Sequence, residues 1–150
     1  MSSRIDYWDG DGTLPEGLWI GQKLRAINGK RGQALLREVQ AALLAMPEHR
    51  LIEGAVCQDG DVCVLGALAV GRERRDGQPF GEALATVEAC FPDDNYPPDD
   101  VSDALGITRT LGWLLMEQND EVASGFTPEE RWAYLLSWVR SKLQRAEVAE

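Results

Sequence analysis

Cys63 and the lone histidine, His49, are the first residues in the chain whose types could do chemistry. An imidazole can activate a thiol as a nucleophile, and a helix N-terminus beside the sulfur lowers its pKa. Cys63 stands where a strand pattern gives way to a helical one, which suits that role. Its neighbours Val62 and Val64 point instead to a buried structural cysteine, and that is the reading favoured here. A second chemistry is anion binding. Lys23, Arg25, Lys30, Arg31 and Arg37 crowd the break at residues 28–32, where Lys30, Arg31 and loop amides can converge on one anion. The Gly-x-x-x-x-Gly-Lys-Thr/Ser spacing of a phosphate-binding loop is missing, so a solvated interhelical turn is the competing reading. A third chemistry is recognition of a basic partner. Asp93, Asp94, Asp99, Asp100 and Asp103 line up in a proline-rich segment, as carboxylates do on protein surfaces that imitate nucleic acid; a solvated loop is the alternative.

Two further motifs carry more specific chemistry. Asp9-Gly10-Asp11-Gly12-Thr13 resembles the nucleophile signature of haloacid-dehalogenase-like phosphatases, in which Asp9 would attack phosphorus and Asp11 would act as acid and base. That signature needs a buried parallel strand before it, and Arg4-Ile5-Asp6-Tyr7-Trp8 is too polar and too short. Asp93-Asp94 also follows Pro92 rather than an apolar strand. Residues 101–110 look like a helix-turn-helix corner, with Gly106 at the bend and Thr108 and Arg109 opening the second helix. The following residues, Leu111-Gly112-Trp113-Leu114-Leu115-Met116, read as a core helix rather than a reading helix. Asp99, Asp100 and Asp103 beside them would repel phosphates.

The elements that must position these residues follow from pattern and composition. The chain has 150 residues, a formal charge of −10 and 44% hydrophobic residues, enough for one folded core and too apolar for a disordered chain. There is no apolar run of membrane-spanning length and no basic-then-apolar leader pattern, so a cytoplasmic location without membrane partners is expected. The odd number of cysteines, Cys57, Cys63 and Cys90, lacks paired metal-ligand spacing; neither a disulfide framework nor a metal site is expected. The acidic balance disfavours broad attraction to nucleic acid.

Residues 1–12 are polar and Gly-rich and are expected to form a flexible arm, leaving residues 13–150 as a single globular domain. Thr13 with Glu16 and Pro15 forms a capping-box pattern for a first helix to about residue 27. Leu35, Leu36, Val39, Ala42, Leu43 and Met46 fall on one helical face, which Pro47 ends. Residues 50–57 read as a strand that turns at Asp59-Gly60 and returns through residues 62–64. Residues 64–70 then form a buried helix whose Gly66, Ala67 and Ala69 allow close approach of another backbone. Shorter helices are expected at residues 80–91, 101–105 and from Thr108 to the Asn119-Asp120 stop. Thr127-Pro128-Glu129-Glu130 forms a second capping box, and the final helix carries Trp132, Leu135, Leu136, Val139 and Leu143. Most of the tryptophans are expected to anchor the core. The fold class is therefore mainly α (α+β), with about six helices around a buried small-residue helix and one short β-hairpin near residues 50–64.

The order of Asn28-Gly29-Lys30-Arg31-Gly32-Gln33, Cys63-x-Leu65-Gly66-Ala67-Leu68, Asn119-Asp120 and Thr127-Pro-Glu-Glu-Arg-Trp132 resembles a set of small uncharacterised bacterial, phage and prophage proteins. The likeness runs from about residue 24 to about residue 143. It implies a hairpin followed by a buried small-residue helix, and brings no activity, cofactor or catalytic residue with it. The expectation is a non-enzymatic interaction module or regulator of phage or prophage type, with a basic protein partner and no cofactor. Its interaction candidates are Lys30, Arg31, Asp93, Asp94, Asp99 and Asp100. The alternatives are a helix-turn-helix-like nucleic-acid-binding regulator using Thr108 and Arg109, and a small hydrolase using Cys63 or the Asp9/Asp11 pair. Whether Cys63, Asn119 and Asp120 share a pocket is a question the sequence leaves open.

Overall fold

The architecture was read from a computed structural model, which describes residues 16–74, 77–92 and 97–144. The predicted capping box at Thr13, the phosphatase-like pair Asp9 and Asp11, and the candidates Asp93 and Asp94 lie outside the described residues. Within them the chain forms α1 (Glu16–Asn28), α2 (Lys30–Ala45), a hairpin of β1 (Cys57–Gln58) and β2 (Asp61–Val62), α3 (Val64–Glu73), α4 (Phe80–Cys90), α5 (Pro98–Leu105), α6 (Arg109–Met116), a π-helical turn (Glu117–Val122) and α7 (Pro128–Lys142). The class is mainly helical with one two-stranded antiparallel hairpin, as the pattern predicts.

The small-residue helix α3 is the centre. Every residue from Val64 to Val70 is buried, and α2, α4 and α6 pack around it. Gly66 makes this possible: a Cβ there would lie 2.3 Å from the Val56 carbonyl oxygen, so no side chain fits between the helix and the strand approach. The predicted α2 stripe is buried throughout, from Leu35 to Met46. Glu38 on its flank reaches Arg72 of α3 through a two-point contact of 2.6 and 3.1 Å. The Arg72 guanidinium also donates to the Leu105 carbonyl, joining α2, α3 and the end of α5. α7 lies across α2, and α1 packs on α2 and α6.

Three local expectations need correction. The strand pattern over residues 50–57 yields only Cys57–Gln58, because the preceding backbone is used elsewhere. Leu51 N–H donates to the Pro128 carbonyl at 3.0 Å and Ile52 N–H to the Val62 carbonyl at 3.0 Å, so this segment follows the start of α7 and the end of β2 irregularly. Only the two-residue turn behaves as expected: Asp59 and Gly60 have φ of 54° and 86°, and Cys57 faces Val62. Asp99 and Asp100 are not loop residues but form the first turn of α5, where Pro98 starts the helix and carboxylates meet the positive end of its dipole. Finally, Asn119 does not end a helix. The chain widens into the π turn there and continues to Val122.

Candidate functional site

The largest buried polar assembly gathers around Asn119 and Arg131. The π turn brings Asn119 inward to full burial. Its Oδ1 accepts from Val64 N–H at 3.1 Å and its Nδ2 donates to the Ile52 carbonyl at 2.9 Å and to Asp120 Oδ1 at 2.7 Å. Asn119 thus does not close its own helix; its amide oxygen serves the first turn of α3, far away in sequence. Arg131, one turn into α7, is only 3% exposed. Its guanidinium donates to the carbonyls of Asn119, Leu51, Ala123 and Phe126 at 2.9, 3.1, 3.0 and 3.3 Å, and to Glu53 Oε1 at 2.7 Å. Each of the three guanidinium nitrogens is engaged by protein oxygens, three of them at Nη2, so this buried cation is committed to the fold. The assembly joins the irregular segment before the hairpin, the π turn and the two helices α3 and α7.

Arg131 is not among the residues singled out from the sequence, although a signal is present there. Arg131, Leu135 and Val139 follow one another at helical spacing, which places an arginine on an apolar stripe.

Cys63, Asn119 and Asp120 do not share a pocket. Cys63 is completely enclosed; its Sγ accepts from Gly66 N–H at 3.4 Å and acts as the N-cap of α3. Removal from water pushes its thiol up to about 12, the reverse of what an activated nucleophile needs. Burial likewise raises the Cys57 thiol to about 11. His49 lies elsewhere, stacked on Trp132 with ring centroids 3.9 Å apart and planes 3° from parallel. The thiol–imidazole pairing considered for Cys63 is thus not assembled. Asp120 lines a cleft of about 340 Å³ bordered by Val56, Leu65, Pro97, Val101 and Met116. Its carboxylate accepts from Gly54 N–H at 3.3 Å as well as from Asn119. Among the described residues there is no group of three or more His, Cys, Asp or Glu side chains arranged to hold a metal. No described helix is long and apolar enough to cross a membrane.

The helix-turn-helix-like segment is a tight corner. Gly106 closes α5 in the left-handed conformation at φ 72°, and Thr108 caps α6 by accepting from Leu111 N–H at 3.3 Å. Gly112 faces Ser102 so closely that a Cβ would come within 1.7 Å of the serine oxygen. The predicted base-or-phosphate ligand, Arg109, is turned back onto α5. Its guanidinium meets Asp103 at 2.7 Å and Asp99 at 3.6 Å. The hydrogen bonds and field of Asp103 hold the guanidinium pKa above its ordinary value, while Arg109 holds the Asp103 carboxyl below its own. A phosphate would have to compete with two carboxylates for that side chain.

The same corner presents a different surface. Trp113, expected in the core, is 43% exposed, because Leu111, Leu114 and Leu115 take the buried side of α6. Its indole N–H donates to Asp99 Oδ1 at 2.7 Å, which fixes the ring beside the carboxylates of α5. Asp100 and Asp103 are exposed on that helix. The acidic candidates Asp99 and Asp100 therefore share a face with a large exposed aromatic that the sequence reading missed.

Lys30 and Arg31 occupy the first turn of α2 and are exposed. They are not near a carboxylate row. Together with Arg25, Thr108 and Thr110 they border an open groove of about 510 Å³. Compared with protein-family models, with curated proteins and with solved structures, the chain matches none.

Proposed function

We propose that the protein is a non-enzymatic interaction module that docks a basic segment of a partner protein on the face formed by α5 and α6. The observation that carries this reading is Trp113, 43% exposed and held by Asp99, with Asp100 and Asp103 open to solvent alongside. An aromatic anchor supplies desolvated contact area and a cation–π face for arginine or lysine. Asp100, which pairs with no described cation, supplies complementary charge directly, Asp99 and Asp103 do so by exchanging Arg109 for a partner's cation, and the chain's net charge of −10 adds long-range steering. The Arg109 pairings support the reading further, because they remove the cation that a nucleic-acid surface would need there.

A fluorescent Arg- and Lys-rich peptide, followed by anisotropy at 50 and 300 mM NaCl, tests the proposal. Trp113→Ala, and separately D99N/D100N/D103N, are each expected to weaken binding about tenfold or more, since ~1.4 kcal/mol corresponds to tenfold. The control variant E73Q/E82Q/E129Q removes the same charge from exposed sites elsewhere and should bind nearly as the parent does. Equal losses in the control and in the α5 variant would mean nonspecific attraction to an acidic protein and would overturn the proposal.

A further inference from the structure

A groove runs between α1, α2 and the start of α6. In a chain with 25 acidic residues against 15 basic ones, pairing is the expected fate of a cation. Lys23, Arg50, Arg72, Arg109 and Arg131 all meet carboxylates. Arg25, Lys30 and Arg31 make no ion pair among the described residues, yet they converge on one groove from the end of α1 and the beginning of α2. No described carboxylate borders it. Thr108 and Thr110 add hydroxyls from the opposite wall. The fold builds this approach tightly. Gly32 lets α2 start directly against the end of α1, where a Cβ would lie 1.9 Å from the Ala26 carbonyl oxygen.

We infer that this groove binds a small phosphate-bearing molecule. Two guanidinium forks and an ammonium match the charge and the several acceptor oxygens of a phosphate group better than those of a single carboxylate. The Thr108 and Thr110 hydroxyls can meet further polar groups of the same ligand, such as a sugar hydroxyl. A volume of about 510 Å³ suits a ligand of nucleotide size. A long nucleic acid is disfavoured, because its flanking phosphates would run onto the carboxylates of a chain carrying −10.

The test is calorimetric titration of the full chain with ADP, with inorganic pyrophosphate and with a twelve-nucleotide single-stranded DNA, alongside the shift in unfolding temperature that each produces. Saturable binding of ADP is expected, and weaker binding of pyrophosphate, which fills less of the groove. K30A and R31A should each lower ADP affinity by tenfold or more. These side chains are exposed, and circular dichroism shows whether the variants keep the parent fold. Arg140→Gln, which removes an exposed cation from α7, should leave the affinity unchanged. Absence of saturable ADP binding at millimolar concentration would overturn the inference. So would affinities of K30A and R31A equal to the parent's, or DNA binding tighter than ADP.

Discussion

At the residue scale, the conspicuous polar side chains are explained by what they satisfy. Asn119 supplies an acceptor for the first turn of α3 and a donor for the Ile52 carbonyl. Asn119→Leu leaves both backbone groups buried and unpaired, at a cost of about 1–3 kcal/mol for each group. Urea denaturation should therefore show a loss on the order of 3 kcal/mol or more, with the helical signal of the remaining native state retained; a loss below about 1 kcal/mol would mean that water replaces the amide. The thiols give a sharper test. With Cys63 at about 12, only about one thiol in ten thousand is ionised at pH 8, and the thiolate is the reacting form. Iodoacetamide at that pH should modify exposed Cys90 in the native protein and reach Cys57 and Cys63 only on unfolding. The same shifts fix a direction with pH. Both buried thiols have folded pKa values above the ordinary 9.0, so the folded state holds its protons longer. Their contribution to stability is complete below about pH 9 and is lost as pH rises toward 11–12, so the urea midpoint should fall over that window.

At the element scale, helices and caps were legible because their determinants are local. The α2 stripe, the Pro47 stop, the Asp59-Gly60 turn and the capping box at Thr127 all depend on residues within a few positions of one another. Thr127 accepts from Glu130 N–H at 3.1 Å and Glu130 returns the contact to Thr127 N–H at 2.9 Å. Thr127→Ala should lower stability by about 0.5–2 kcal/mol. Gly66→Ala should cost more although alanine favours helices, because its Cβ would press on the Val56 carbonyl oxygen at 2.3 Å. A Gly66→Ala protein as stable as the parent would show that α3 can move away from the hairpin without loss. What local pattern could not convey was partnership across the chain. Apolar, β-branched residues at 50–57 read as a strand, yet the backbone there bonds to Pro128 and Val62. Asn119-Asp120 read as a stop, yet the π turn directs Asn119 to a helix that begins at Val64. Trp113 read as core because tryptophan usually is; its exposure follows from the three leucines that fill the other side of α6. The candidate surfaces were half legible for the same reason. The charges were visible in sequence, whereas the indole that accompanies one set, and the threonines that face the other, come from the fold.

At the scale of the whole molecule, the arrangement of charge matters more than its sum. A net charge of −10 opposes compaction through self-repulsion, and Lys23, Arg50, Arg72, Arg109 and Arg131 answer it locally in pairs. Exposed pairs of this kind contribute about 0–1 kcal/mol each, and salt weakens them, whereas salt also relieves the diffuse repulsion. The balance can be probed at Glu73, in the last turn of α3. It is exposed, and its charge sits at the negative end of the helix dipole within a negative chain. Both effects act in the same direction, so Glu73→Gln is expected to raise stability by about 0.3–1 kcal/mol at 20 mM NaCl. The gain should shrink at 500 mM, where the screening length falls to about 4–5 Å. Thermal unfolding of the parent and the variant across that series separates the possibilities. A gain that persists at high salt would trace to helix propensity or packing and not to charge. A loss at low salt would mean that Glu73 makes a favourable contact, and that repulsion is not what limits this molecule's stability.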